Sequence, residues 1–444
     1  MTTRTNKVFS FYTPLRNHLR KADLEGSLRA VHAHVQHQQF GKAIPPYIRN
    51  TPFGYNQAKS FTDFINFHVF PWELEVIAKE LLIHGANIGG EKTLEDWNYL
   101  AGAVNKLKSL ENEISKIYIN KNKVLLEFHR MAHRQFKWQV RPNLQILARY
   151  WKIYIDKELS KIIQKATRLS VNDMYLVGIA LIGFYVDKLA LFYPPNIEIK
   201  GVGLNVLNNF LAHFAKDYDS LKNQLLQEQL LDERYMYAFN SLRAYPIVKM
   251  NYQDRSALVC PIPQLLYDRL IAGVYYEIYN QKGFDAAFGD SFQKYTGEVL
   301  RAGGKKIQIF PEKSYGGRRS KRKSVDWIIC DKKSAIFLEC KTKRLTFGAK
   351  GWLPYYVSKR AIEDLTIGLA EELKDKSIQV NAISPSDTAT EAYKKYFPQY
   401  VKEAIEPEKI AKQAVFLCSP EANDITGKVS VVKKGEKPFE GFHY

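Results

Sequence analysis

Cysteine is scarce in this 444-residue chain: Cys260, Cys330, Cys340 and Cys418 stand far apart, and no two form a CxxC pair. That spacing argues against a disulfide framework and a cysteine-built zinc site, and it suits a reducing, cytoplasmic setting. Long apolar runs are also missing. The longest uncharged stretch, Met174 to Val186, is stopped by Asp187 and Lys188. It falls short of the roughly 20 residues that span a bilayer, so it reads as a buried helix and no membrane partner is expected. The first residues, Met1 to Lys7, lack the apolar core of a secretory signal.

Negative charge is in deficit as well: 46 Asp and Glu against 65 Lys and Arg give a formal charge of +19. The deficit is uneven. From Gly351 to Tyr444 there are 13 basic and 14 acidic residues, which leaves 52 and 32 upstream. The excess therefore lies before about residue 350, and a polyanion is the expected partner there, nucleic acid with DNA favoured.

What is present is ordinary globular material. Hydrophobic residues make up 45% and charged residues 25%, enough for buried cores in two or three domains. From about Leu24 to Leu242 apolar residues recur at three- and four-residue spacings, as in Trp72 to Leu82 and Leu204 to Phe214, which predicts helices. After Tyr245 the texture changes. Short strands are expected at Ile247–Met250 and Ala257–Cys260, helices at Leu265–Asn280 and Ser291–Leu300, and a further strand at Lys306–Phe310. The chain thus reads as a multi-domain α and α/β protein. Its parts are a helical basic region over 1–243, an α/β domain over 244–350 and a C-terminal fragment over 351–444.

Histidines cluster at His32, His34 and His37, and His129 and His133 stand four apart with no Glu after His129. The zinc-protease motif is therefore absent, and surface or core histidines are expected. Aromatics alternate with bases in Phe136-Lys-Trp-Gln-Val-Arg141 and Tyr150-Trp-Lys-Ile-Tyr154. Such residues either stack on nucleic-acid bases or form the amphipathic face of a helix.

Two apolar runs, Val325–Cys330 and Ala335–Cys340, flank the polar tetrapeptide Asp331-Lys-Lys-Ser334, which suits a hairpin turn. A turn centred between Lys332 and Lys333 makes paired residue numbers sum to 665 and sets Asp326 opposite Glu339. Lys341 then shares their face, while Trp327, Ile329, Ile336 and Leu338 take the other. Two carboxylates this close repel, and a hard cation such as Mg²⁺ relieves that repulsion through oxygen ligands. The basic run Arg318, Arg319, Lys321, Arg322 and Lys323 lies beside the hairpin, where phosphates would be gripped.

This pattern, Asp326 followed twelve residues later by Glu339-Cys-Lys341, resembles the PD-(D/E)XK nuclease superfamily. The resemblance implies a restriction-endonuclease-like α/β core and Mg-dependent hydrolysis of nucleic acid. Asp326 and Glu339 would hold the metal, with Lys341 beside the reacting phosphate. Gln293 follows Phe292 where the superfamily often has an acid, so Glu298 or Asp290 would supply that ligand.

The C-terminal fragment carries a different set of landmarks. Tyr355-Tyr-Val-Ser-Lys359 is followed by an apolar helix, then Ile378-Gln-Val-Asn-Ala-Ile-Ser-Pro385-Ser-Asp-Thr388, then Leu417-Cys-Ser-Pro and Ile425-Thr-Gly-Lys-Val. These resemble the last third of a short-chain dehydrogenase/reductase and imply a partial Rossmann-like fold. In that family the tyrosine is the acid/base, the lysine also holds the nicotinamide ribose of NAD(P), and Thr388 would lie near the carboxamide. Ser386 replaces the usual glycine, and only Thr342 stands near the place of the catalytic serine. The glycine-rich turn that seats the pyrophosphate is also missing, because neither Gly85–Gly90 nor Gly201–Gly203 has its spacing. The alternatives are therefore a nuclease, an NAD(P)-dependent oxidoreductase using Tyr355 and Lys359, and a non-catalytic nucleic-acid binder. The fragment would be a fusion remnant, a homodimer surface, or a half-site completed by another chain, and the chain is not expected to bind NAD(P) by itself in the usual way.

Overall fold

A computed structural model describes the chain except for residues 1, 53–67, 88, 119–133, 136, 139–140, 195–198, 233, 236–237, 303–307, 316–321, 331–334, 339, 341–362, 364–365, 372, 377, 391–392, 395–397, 436 and 441–444. Among the described residues, those up to Cys340 form one compact unit and those from Glu363 form a second.

The first unit is mostly helical. Helices α1 (Thr2–Leu19), α2 (Leu24–Phe40), α3 (Pro71–His84) and α4 (Trp97–Tyr118) come first, then α5 (Leu144–Tyr154), α6 (Lys157–Thr167) and α7 (Val171–Asp187). Local chemistry sets their ends. Asp23 caps α2 by accepting the Gly26 N–H at 2.7 Å, and Gly41 closes it at φ 69°, a conformation glycine adopts without strain. Ser170 caps α7 in the same way, accepting from Asp173 N–H. The apolar run from Met174 is thus a helix as expected, though Leu176 and Ile179 stay exposed on one side of it. No single helix among the described residues is long and apolar enough to cross a membrane.

Strands β1 (Ala190–Phe192), β2 (Ala215–Asp217), β3 (Ile247–Tyr252) and β4 (Arg255–Val259) build one sheet in the order β1-β4-β3-β2; α8 (Leu204–Phe214) precedes β2 and α9 (Tyr218–Glu228) follows it. All neighbours are antiparallel except β2 and β3. Side chains alternate between faces, and each face serves a different core. Val248, Ala257 and Val259 join Leu15, Leu28, Leu81 and Leu107 of α1 to α4. Ile247, Leu258, Leu191 and Ala215 join Tyr154, Leu181, Phe210 and Phe214 of α5, α7 and α8. The sheet is the middle layer between two helical cores.

Downstream lie α10 (Pro263–Asp268), a π-helical stretch over Arg269–Gly273, α11 (Val274–Ile278) and α12 (Phe284–Ala302), where sequence spacing predicts helices at 265–280 and 291–300. Strands β5 (Gln308–Pro311), β6 (Trp327–Cys330) and β7 (Ala335–Leu338) then form an antiparallel meander in the order β5-β6-β7. The expected boundary at residues 243–244 falls inside the first unit, because β1 and β2 before it share a sheet with β3 and β4 after it. A restriction-endonuclease-like core is not shown. The described residues from 244 on give β3 and β4 of the first sheet, then α10 to α12, then the meander.

The second unit contains β8 (Ala382–Pro385), α13 (Pro407–Leu417), β9 (Val429–Val432) and β10 (Phe439–Glu440). β8 pairs parallel with β9, and β9 antiparallel with β10. Parallel neighbours need a crossover, and α13 lies within it, so β8-α13-β9 is a βαβ unit.

Candidate functional site

Tyr355 and Lys359 lie outside the described residues. Four residues after Lys359, Glu363 is helical and 4% exposed, and its carboxylate accepts the Ser384 hydroxyl of β8 at 3.0 Å. Thr366 and Ala370 on the same run are buried too. The Cβ of Ala370 lies close to Gly427, whose φ of 71° turns the chain into β9. Glu363 and Ala370 are thereby tied to β8 and to the turn before β9.

Sequence reasoning missed Glu363, which stands four residues after Lys359 in the sequence. It also missed Asn381 and Gln379. Asn381 donates to Ile425 O at 2.6 Å and accepts from Lys428 N–H at 3.1 Å, while Gln379 donates to Ala422 O at 2.6 Å. These side chains tie the approach to β8 to the turn before β9.

Thr388 stands three residues past the carboxyl end of β8. Its hydroxyl donates to Ser386 O at 3.0 Å. The flanking backbone is clamped by Ile405 N–H to Asp387 O and Ala389 N–H to Ile405 O, both 2.8 Å. Ligands of open α/β sheets bind beyond the carboxyl ends of parallel strands, and Thr388 occupies that place. No residue set for the pyrophosphate is legible in the sequence.

The hairpin of the first unit has the expected register. Trp327 lies opposite Leu338 and Cys330 opposite Ala335, so paired numbers sum to 665. The Asp326 carboxylate, one residue before the ladder, accepts the Cys340 N–H at 2.5 Å. Glu339 and Lys341 lie outside the described residues, as do Arg318, Arg319 and Lys321. Arg322 and Lys323 are described only as backbone, in a short ladder with Tyr315 and Ser314.

Trp327 fixes the hairpin to α12. A Cβ on Gly297 would sit 2.2 Å from its ring. Its indole donates to Gln293 O at 3.1 Å, and the Arg301 guanidinium lies 4.9 Å from the ring centre. Of the two acids named as substitutes for a third ligand, Glu298 pairs with Lys152 at 3.0 Å, and Asp290 lines an open cleft with Lys161, Lys165 and Lys282. Among the described residues, no group of three or more His, Cys, Asp or Glu side chains is placed to hold a metal ion.

The remaining candidates resolve as structure. His32 and His34 are core residues whose burial pushes their pKa values down to about 4 and about 3, and His32 Nε2 lies 2.7 Å from Tyr185 O. His129 and His133 lie outside the described residues. Tyr154 is fully buried and donates to Ile271 O at 2.9 Å, while the half-exposed Trp151 donates to Asn172 at 3.0 Å.

Comparison with known proteins points to the second unit. The family described as Enoyl-(Acyl carrier protein) reductase matches residues 333–436. The A-factor type gamma-butyrolactone 1'-reductase (1S-forming) of Streptomyces virginiae is 38% identical over 94 residues, 18% of this chain and 37% of that protein. The 7alpha-hydroxysteroid dehydrogenase of Escherichia coli (strain K12) is 32% identical over 91 residues, 18% of this chain and 36% of that one. The human Dehydrogenase/reductase SDR family member 4 is 38% identical over 96 residues, 19% and 34% of the two chains. The chain thus spans about a third of the length of the curated relatives it matches. No solved structure matches. Residues 333–436 are therefore a short-chain dehydrogenase/reductase-like segment, and these matches lend nothing to the nuclease reading. The match begins at Lys333, so β7 falls inside it, while in the structure β7 pairs antiparallel with β6.

Proposed function

We propose that the C-terminal segment is the proton-transfer half of an NAD(P)-dependent, short-chain dehydrogenase-type oxidoreductase site, completed by a nucleotide-binding half from another chain. The observation that carries this reading is the continuous match over residues 333–436, which takes in Tyr355, Lys359 and Thr388 in order. Tyr355 is the acid/base: its phenol gives a proton to a carbonyl oxygen in reduction and takes one from a hydroxyl in oxidation. The Lys359 ammonium lowers the phenol's pKa and holds the ribose, and Thr388 faces the carboxamide. NAD(P), when bound, supplies or accepts the hydride. Glu363 and Ser384 act indirectly, holding the helical run against β8. The free cysteines suit a cytoplasmic location, and a second copy of this chain or a partner of the same fold would supply the missing half.

The pair is testable without the missing half. In the full chain with labelled tyrosine, the resonance lost in Tyr355→Phe is that of Tyr355. It is expected to titrate below the ordinary phenol value of about 10, and Lys359→Met returns it toward that value. A Tyr355 that titrates at or above about 10 with Lys359 intact refutes the assignment.

A second reading, Mg-dependent hydrolysis of nucleic acid, draws on the hairpin register, which sets Asp326 opposite Glu339 in number. There Asp326 and Glu339 bind the metal, Lys341 stabilises the phosphorane-like transition state, and Arg318, Arg319, Lys321, Arg322 and Lys323 grip the backbone of DNA. Labelled DNA with Mg²⁺ decides it. Cleavage by the full chain that falls at least about a hundredfold in Asp326→Ala and Lys341→Ala supports it, and equal rates in all three proteins end it.

A further inference from the structure

On one face of the middle sheet a dry core gives way to polar groups, and a cleft opens where it does. By register, Leu191 of β1, Leu258 of β4, Lys249 of β3 and Asp217 of β2 make one row across the sheet. Lys249 stands two residues past Ile247, so both side chains take the same face, on which Ile247, Leu191 and Leu258 are core residues. The next row outward is polar. Tyr193 donates its N–H to Ser256 O at 2.8 Å, which carries the β1–β4 pairing one residue past β1 and sets Tyr193 opposite Ser256.

Helix α8 closes over the apolar rows alone. Leu207, Phe210, Leu211 and Phe214 pack into the core, whereas Asn208 and Ala212, one turn apart on another side of the helix, are exposed. Between that side and the outer rows lies a cleft of about 490 Å³, inside the roughly 300–1,000 Å³ range of small-molecule sites. Leu211, Ala212, Ala257 and Leu258 give it apolar walls, and Lys249, Tyr193, Ser256 and Asn208 give it polar groups.

An exposed lysine is ordinarily solvated and calls for no ligand, and on an edge strand it serves to block pairing. β3 is a central strand, so the second role is closed to Lys249. Its row neighbour Asp217 makes no ion pair with it and serves α9 instead, accepting from Ser220 N–H at 3.3 Å and Ser220 Oγ at 3.4 Å as the helix cap. The residues lining the cleft thus carry one positive charge and no negative one. We infer that the cleft binds a small apolar carboxylic acid as its carboxylate. The head meets the Lys249 ammonium, with Tyr193, Ser256 and Asn208 as further donors, and the body lies along Leu211, Ala212 and Leu258. One ammonium matches one negative charge, whereas a doubly charged phosphate would be left half neutralised. Burial of the apolar body supplies affinity, and the charge pair sets its direction in the cleft. This site lies in the first unit and does not depend on the function of the Tyr355 segment.

The test titrates the full chain calorimetrically with octanoate, octan-1-ol and octylammonium, which share one tail and differ in head charge, at constant ionic strength and below the concentrations at which they aggregate. Octanoate is expected to bind saturably and more tightly than octanol, and octylammonium more weakly than either. Lys249→Met is expected to weaken octanoate about tenfold, as loss of a charge-assisted hydrogen bond does, and to leave octanol unchanged. Lys249→Arg, which keeps the charge, should hold octanoate where Lys249→Met does not. Ala212→Phe fills the cleft from the exposed side of α8 and should weaken octanoate and octanol alike without lowering the unfolding midpoint. No saturable binding of octanoate, octylammonium binding as tight as octanoate, or equal octanoate affinity in the wild type and Lys249→Met overturns the inference.

Discussion

Gly297 and Trp327 show how one missing methyl decides a contact. The indole lies where the Cβ of any other residue at 297 would stand, 2.2 Å from its ring atoms, so the strand can close on α12 only over glycine. Gly297→Ala is therefore expected to destabilise the first unit by about 1–3 kcal/mol through overpacking, although alanine favours helix. Urea unfolding measures it. A midpoint unchanged or raised would show that the indole moves aside without loss. Burial of Trp327 is legible in the sequence as the inward side of an alternating strand. Its glycine partner is not, because the two stand thirty residues apart and neither carries a local signal for the other.

At the scale of elements, α3 shows burial overriding composition. Glu73 sits in its first turn, accepts the Phe70 N–H at 2.9 Å and lies 3.5 Å from Lys108. Burial nevertheless dominates and pushes its pKa up to about 7. Below about pH 4.5 both folded and unfolded chains hold this proton. Between there and about 7 the folded chain alone keeps it, so this group's contribution to stability is lost as pH rises through that window. Glu73→Gln, which keeps an acceptor for Phe70, is expected to remove that decline, about 3 kcal/mol across the window. Denaturant unfolding at the two ends of the window checks it; a slope identical to wild type contradicts it.

Other elements differ in how much the chain discloses. The β6–β7 register could be read because a polar tetrapeptide between two alternating strands leaves one turn position. Strands β1 and β2 could not, since three residues carry no period and owe their conformation to β4 and β3. The landmarks of the C-terminal segment were legible as an ordered set. Its docking contacts, Glu363 with Ser384 and Asn381 with Ile425, join residues 21 and 44 apart and exist only once β8 and its neighbours are assembled.

Across the whole molecule, two kinds of sequence meet near residue 350. The first unit holds the excess positive charge and two cores on either face of one sheet. The second is nearly neutral and matches about a third of the length of its relatives. A dinucleotide needs both ends held: a glycine-rich turn for the pyrophosphate and a carboxyl-end loop such as that of Thr388 for the nicotinamide. Only the second is legible in this sequence, and the proposed function accordingly treats the C-terminal segment as a half-site. Direct titration of the purified full chain with NADPH tests this most directly. No saturable binding at micromolar concentration is expected of the chain alone, and saturable micromolar binding would contradict the half-site.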